Sequence, residues 1–392
     1  MKIKSMAMAT LSSALLSALF LAACGGGIGG TGSPMGTLNL SVTDAPSCGF
    51  DAVNITIDKV RVHTSATASD TDSGWSEVVL NPAKRVDLLT LSNGVLENLG
   101  QTSLPAEKYT QLRLVLAAND ASHPLANSVV PTGGTETALT TPSGQQSGIK
   151  LNADIDVPAD KVVDFALDFD ACKSVVQRGN SSQYNLKPVV SVIPVLSDAG
   201  LRVVGYVDPL LALGGTTNVS VQFNGVPVKA SAPDVTGKFV LYPVPAGNYD
   251  LVVSAAGRVT AVMTGVPVVT GTPTTVNSAS VPITPPVATM RTVNGNVTPP
   301  TATVRALQAF TGGPSVEVAW GPVDATSGDF VFSLPIGAPV KVAYVANPVS
   351  LAFAADAAAA NKFTLEAVSA GVTKTQAVDV SSTVPSVVFT FP

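Results

Sequence analysis

The sequence predicts an all-β chain: three tandem antiparallel β-sandwich domains behind an N-terminal signal helix and a glycine-rich tether. Three observations predict it. Short runs of alternating apolar and polar residues recur from Thr37 to the C-terminus, the spacing of strands with one buried face. Turn residues, Gly 33 and Pro 29 among 392 positions, punctuate those runs. No segment of useful length after residue 23 carries a helical period.

The first element is the signal. Lys2 and Lys4 precede a small and apolar stretch from Met6 to Ala23, and Leu21-Ala22-Ala23-Cys24 completes the order of a charged start, apolar middle and small-residue cleavage region. With cysteine directly after Leu-Ala-Ala, residues 1–23 resemble a bacterial lipoprotein signal. That resemblance implies that Cys24 carries the lipid and begins the mature chain. It also implies export, and, because Gly25 rather than Asp follows the cysteine, sorting to the outer membrane. Residues 24–35 then form the lipidated end and a tether, Gly25 to Pro34, with a mean reach of roughly 17 Å. No later apolar run reaches the ~18 residues that span a bilayer; Gly257 with Arg258, and Pro348 with Asp356, break the best ones. The expected protein is anchored rather than spanning.

Composition excludes some partners. Charged residues make up 12% of the chain, the formal net charge is −5, and aromatics are 5%. No basic stripe or stacking platform for nucleic acid is present. Nor is there a polybasic segment for anionic lipid.

The first folded block is expected over 36–196. Leu38, Leu40 and Val42 alternate with polar residues, as do Val53, Ile55 and Ile57. Val60 and Val62 carry the opposite phase, which predicts a bulge at Asp58-Lys59. Leu112, Leu114 and Leu116 come next, then Val163, Phe165, Leu167 and Phe169, and Val190 to Val195 closes the block. A second block is expected over 201–285. Its Asn224-Gly225 turn predicts a hairpin that pairs Phe223 with Val226 and Val221 with Val228. A third block, 290–392, repeats the grammar of the second. Gly205 and Gly295 correspond, and so do Thr236-Gly237-Lys238-Phe239 and Ser327-Gly328-Asp329-Phe330. From the first glycine to the second is 32 residues in one copy and 33 in the other. The Ala352–Lys362 stretch is alanine-rich and reads as a short helix or an ordered loop.

Two resemblances accompany this reading. Thr37-Leu38-Asn39-Leu40-Ser41-Val42-Thr43-Asp44-Ala45-Pro46, Val86-Asp87-Leu88-Leu89, Asn93-Gly94, Tyr109-Thr110-Gln111-Leu112-Arg113-Leu114 and Leu167-Asp168-Phe169-Asp170 run in the order of a bacterial lipoprotein family described only as domain of unknown function 4382. Glu107 departs from it, standing where that family has a turn glycine. The resemblance brings no activity. Residues 201–285, through Gly205, Thr236-Gly237-Lys238-Phe239 and Pro245-Ala246-Gly247-Asn248-Tyr249, resemble a carboxypeptidase-regulatory-like, transthyretin-related module. Residues 290–392 resemble a diverged second copy. The resemblance implies an Ig-like or transthyretin-like sandwich and, through its carbohydrate-binding-like relatives, glycan binding as an expectation.

No catalytic constellation emerges. His63 and His123 are the only histidines, and no Gly-x-Ser-x-Gly elbow is present. Ser147-Gly148-Ile149-Lys150 matches Ser-x-x-Lys without its partner motifs. Asp70-Thr71-Asp72-Ser73-Gly74 begins like a calcium loop, but its twelfth position is Asn81 rather than Glu. With Cys24 lipidated, Cys48 and Cys172 remain as an even pair in an oxidising compartment and are expected to form a disulfide. The alternative is two thiols packed as small hydrophobes. Asp164, Asp168 and Asp170 share the face opposite the apolar one. The reading is a solvated sheet face; the competing one is a calcium site of Asp44, Asp168 and Asp170 at the pole that the disulfide would draw together. Trp75, Trp320, Tyr206 and Tyr242 are the candidate aromatic platforms for sugar.

The expectation is therefore a non-enzymatic, membrane-anchored envelope or surface lipoprotein without cofactor. It would bind a glycan, such as a polysaccharide, or another envelope protein. The alternatives are a structural spacer displaying its first domain and a calcium-stabilised adhesion module.

Overall fold

The computed structural model describes residues 33–44, 49–142, 144, 147–179, 181–195, 200–213, 215–321 and 323–392. The signal, Cys24 and most of the tether lie outside these residues. Among the described residues the chain is almost wholly β, with two four-residue helical turns, Ala171–Ser174 and Pro209–Ala212. No helix among them is long and apolar enough to cross a membrane.

Two sheets face each other in the first block. One runs in the order Val190–Pro194, Val162–Phe169, Met35–Asp44, Glu97–Pro105. The other holds eight strands around Phe50–His63. Leu38, Leu40, Val42, Val53, Ile55, Leu112, Leu114, Leu167 and Phe169 are buried in one core between them. Alternation thus does what its period dictates. The bulge falls at the expected place, a register shift between Ile57 and Lys59. The mostly antiparallel sandwich contains a parallel pairing at its centre. Met35–Asp44 pairs in parallel with Val162–Phe169, with Thr43 opposite Asp168 and Asp44 opposite Phe169. Parallel pairing needs a long crossover, and the intervening chain supplies one.

The second and third blocks share a plan. Val203–Tyr206 pairs antiparallel with Lys238–Leu241 and parallel with Thr274–Thr275. Thr289–Thr298 pairs antiparallel with Asp329–Ile336 and parallel with Val387–Thr390. The repeated glycines hold equivalent positions. A Cβ on Gly237 or Gly328 would lie 2.1 Å from the carbonyl oxygen of Val207 or Val297, and both have positive φ. The opposing sheets are Asn218–Phe223 with Val226–Ser231, Gly247–Ser254 and Ala261–Val268, and Thr303–Ala309 with Ser315–Gly321, Lys362–Ser369 and Val372–Asp379.

The blocks do not behave as beads on linkers. Val340–Ala343, from the third block's sequence, pairs in parallel with Ala261–Val268 and extends the second block's sheet. Ala354–Ala355 adds a further strand, with a single 3₁₀ turn, Ala357–Ala359, after it, so the alanine-rich stretch is mostly not helical. Val340 joins the second core, and Val252, Val262, Phe310 and Val316 form an apolar cluster between the two blocks. Ile283, near the end of the second block, is buried, its N–H donating to the Tyr206 carbonyl at 2.9 Å.

Candidate functional site

The functional geometry lies where the three blocks meet, and it begins with a bulge. Asn224 and Gly225, both at positive φ, form the expected hairpin turn and set Phe223 opposite Val226. A register shift between Val221 and Gln222 then places Lys229, not Val228, opposite Val221. The side chain of Lys229 is 0% exposed and forms an ion pair with Asp168 of the first block. Asp168 is therefore not solvated but covered by the second block, while Asp164 on the same face is half-buried and accepts from the Asn39 amide at 2.6 Å within the first block. Burial pushes the Asp168 carboxyl above its ordinary value, and the Lys229 ammonium opposes that rise.

Asp44 and Asp170 sit beside it in different circumstances. Asp44 is fully buried and accepts from the Ala171 N–H at 2.9 Å. Burial drives its carboxyl well above the ordinary range, against that hydrogen bond, with Asp170 and Asp168 adding to the rise. Its Oδ2 has no hydrogen-bond partner. Asp170 caps the Ala171–Ser174 turn by accepting from the Lys173 N–H at 3.0 Å. Burial raises Asp170 too, with Lys173 opposing. The three candidate calcium ligands are thus neighbours, but Asp168 is matched by Lys229 and Asp170 lies 3.7 Å from Lys173. Among the described residues no group of three or more His, Cys, Asp or Glu side chains is arranged to hold a metal.

A second node stands next to this pole. Lys173 donates to Glu317 of the third block at 2.6 Å. Arg305 stands 3.4 Å from the other Glu317 oxygen and 2.7 Å from Glu366. From the second block, the Gln222 amide bonds both backbone groups of residue 317 at 2.8 Å. Position 317 is therefore touched by all three blocks. Elsewhere Asn93 accepts from the Val240 N–H at 3.0 Å and its own N–H donates to Ser231 at 2.8 Å. One of the sequence runs that carried the family resemblance is thus an interblock contact.

A cavity of about 640 Å³ opens at this junction. That is within the range of ordinary ligand sites. The first block contributes Phe50, Tyr184 and Lys173, the second Asn218 and Ser254, the third Trp320. Phe50 and Tyr184 pack edge to face, 5.7 Å apart. Lys173 stands 6.0 Å over the Trp320 ring. Cys172 and Gly49 line the same cavity, while Cys48 lies outside the described residues.

Of the candidate platforms, only Trp320 lines this cavity. Trp75 is covered by Arg61 at 4.6 Å and Arg113 at 5.3 Å, and its indole N–H donates to the Ser69 carbonyl. Tyr242 lies under Arg202 at 4.4 Å, and Tyr206 is on the small sheet's strand Val203–Tyr206. In the Asp70–Gly74 loop, Asp72 accepts from the Ser69 hydroxyl and N–H. His63 bonds Ser73 and Ser65 within that loop, and His123 is exposed on Asp120. Ser147 occupies a turn before Ile149–Asp156, where Lys150 is exposed. Sequence reasoning missed Lys173, Lys229, Gln222, Arg305 and Glu317. For all but Lys173, which lies in the Ala171–Ser174 turn, the available signal was a charge or amide placed within an apolar strand run of a chain otherwise poor in charge.

Residues 35–188 match the family model "Domain of unknown function (DUF4382)", so the first block carries that domain. No curated protein matches the chain. Solved structures similar to it include two mutants of a type II cohesin–X-dockerin complex from Acetivibrio cellulolyticus. The N-terminal interface mutant is 20% identical over 23% of this chain and 59% of that one, with a TM-score of 0.19. The C-terminal interface mutant is 24% identical over 21% and 56%, with a TM-score of 0.18. This chain therefore spans less than two thirds of either.

Proposed function

We propose that this chain is an exported, non-enzymatic lipoprotein, anchored through Cys24 to the outer membrane, that binds a glycan in the junction cavity. The supporting observation is the wall of that cavity, which Trp320 and Tyr184 line together with Asn218 and Ser254. Rings flanked by amides and hydroxyls suit sugars, which present C–H faces and many hydroxyls. The two later blocks are carboxypeptidase-regulatory-like modules in this reading. Titration of the full chain with soluble oligosaccharides, monitored by calorimetry, tests it. Saturable binding lost in Trp320→Ala supports the reading, and no heat with any sugar rejects it.

A Cys48–Cys172 disulfide belongs to the same proposal. In support, Gly49, the residue after Cys48, and Cys172 both line the cavity. Closing a loop of more than a hundred residues stabilises by roughly 5 kcal/mol in the chain-entropy account. Non-reducing peptide mapping reads it directly.

A second reading, a rigid spacer that displays the first domain, draws support from the shared sheet and the buried Lys229–Asp168 pair. No saturable heat with any sugar, from a full chain whose blocks melt in one transition, would favour the spacer.

A further inference from the structure

The junction cavity does not end at Trp320 and Asn218. A second cavity of about 260 Å³ shares Thr216, Asn218, Ser254 and Val318 with it. Four common wall residues make the two a continuous groove. It runs from the three-block junction along the seam between the second and third blocks.

The ends of the groove differ in charge. At the junction end the charged groups answer one another: Lys173 is held by Asp170 and Glu317, and Glu317 also by Arg305. Beside these paired charges the wall carries the aromatic residues Phe50, Tyr184 and Trp320 and the hydroxyl-bearing Thr216 and Ser254. At the far end the wall is Met290, Leu334, Pro335, hydroxyls and one charged side chain, Arg258. The Arg258 guanidinium donates to the Pro285 carbonyl at 3.0 Å, and among the described residues it forms no ion pair. A guanidinium has five donors in a planar fork, so one carbonyl leaves capacity for a carboxylate. Arg258 is half-buried, where a charge-assisted bond is screened less than at an open surface.

We infer that the groove takes an extended acidic glycan, a chain of hydroxyl-rich sugars that places a carboxylate-bearing unit, such as a hexuronic acid, on Arg258. The inference rests on the glycan reading above and deepens it by naming a charge, a direction and a length. The junction end supplies ring stacking for uncharged units. The seam supplies Asn218, Ser254 and Thr216 along the run, and Arg258 fixes the acidic unit.

The test compares, by calorimetry on the full chain, a neutral hexose hexasaccharide with the same hexasaccharide ending in one hexuronic acid. Charge-assisted hydrogen bonds justify an expected preference of about tenfold for the acidic sugar. Arg258→Gln should abolish that preference. Arg258→Lys should keep part of it, because the charge remains while the fork is lost. Trp320→Ala should weaken both sugars alike. Equal affinity for the two sugars, or a preference that survives in Arg258→Gln, overturns the acidic-glycan inference while the glycan reading stands. Absence of binding by both sugars, in protein whose melting is unchanged, rejects the glycan reading and this inference with it.

Discussion

In the second block the strand after the first hairpin turn carries Lys229; in the third block its counterpart carries Glu317. Both are buried, and both reach the first block, with opposite charge: Lys229 meets Asp168, and Glu317 meets Lys173. The surroundings differ. Lys229 has one carboxylate and no exposure, whereas Glu317 has two cations and some solvent nearby. Two copies of one sandwich plan have thus been docked onto neighbouring, oppositely charged positions of a single surface. Opposite signs prevent the copies from exchanging places, since a swap would set Lys229 against Lys173 and Glu317 against Asp168. Placement of a duplicated module is specified here by charge, while its internal fold is specified by glycines and alternation.

That comparison breaks first at Lys229. Lys229→Met leaves Asp168 buried without its partner, and removal of one member of a buried pair typically costs about 3–5 kcal/mol. The double variant Lys229→Met with Asp168→Asn should recover most of the loss, because an uncharged pair has no such desolvation cost. Lys173→Met should cost only about 1 kcal/mol, since Arg305 still faces Glu317. Chemical denaturation of the three proteins checks the order. Equal losses for Lys229→Met and Lys173→Met would remove the proposed asymmetry.

The shared plan is sharpened by matched glycine variants. Gly237→Ala and Gly328→Ala each place a methyl 2.1 Å from a carbonyl oxygen at a positive φ. Strain of this kind costs about 3 kcal/mol. The two losses should agree within about 1 kcal/mol if the turns are equivalent. A tolerated alanine at either position would show that the repeat is one of sequence alone.

The copies diverge most beyond their second glycine strand. In the second block a short turn leads from Lys238–Leu241 to Gly247–Ser254. In the third, the chain from Gly337 to Asn361 leaves its own sheets and adds Val340–Ala343 to the second block. The second copy's edge is thereby covered. The corresponding edge of the third copy, Val372–Asp379, stays open and is protected by Lys374, Gln376 and threonines, polar residues that discourage further pairing. Val340→Pro removes a buried side chain and the N–H that donates to the Thr260 carbonyl at 2.9 Å. A loss of about 2–3 kcal/mol is expected. Calorimetry should then resolve a separate transition for the second block, whereas the unaltered chain should melt the two together.

Alternation and turn chemistry made the strands legible, down to the bulge at Ile57–Lys59 and the Asn224-Gly225 hairpin. They are local properties, set by residues within a few positions of one another. The docking was not legible, for an equally physical reason. A bulge one residue off the hairpin's expected register decides whether Val228 or Lys229 faces Val221, and both fit the alternating pattern. Likewise Asp168 on a strand face reads as solvated until a lysine 61 residues away is known to cover it. The candidate calcium residues are neighbours, but the cation that faces Asp168 belongs to another block, where no local pattern could reveal it. The groove was foreshadowed only by Trp320.

The last test concerns the first block's side of this surface, at Asp44. Its carboxyl is raised well above 3.8, chiefly by burial, and Lys229 is among the groups that restrain the rise. The folded protein therefore holds this proton at pH values where the unfolded chain has released it. Its contribution to stability is full below pH 3.8 and is lost as pH rises from there to the folded value, by at most about 1.4 kcal/mol per pH unit. Asp44→Asn does not titrate, and its amide oxygen can still accept from the Ala171 N–H. Its melting temperature relative to the unaltered protein should therefore climb as pH is raised from 4 toward neutrality. Asp168 and Asp170, also raised by burial, slope the same way in both proteins, so the difference reports Asp44 together with its coupling to them. In the Lys229→Met background Asp44 loses a restraining cation, so the climb should extend to higher pH. A difference that stays flat with pH in both backgrounds would mean that Asp44 is charged when folded, and would separate it from the Lys229 contact altogether.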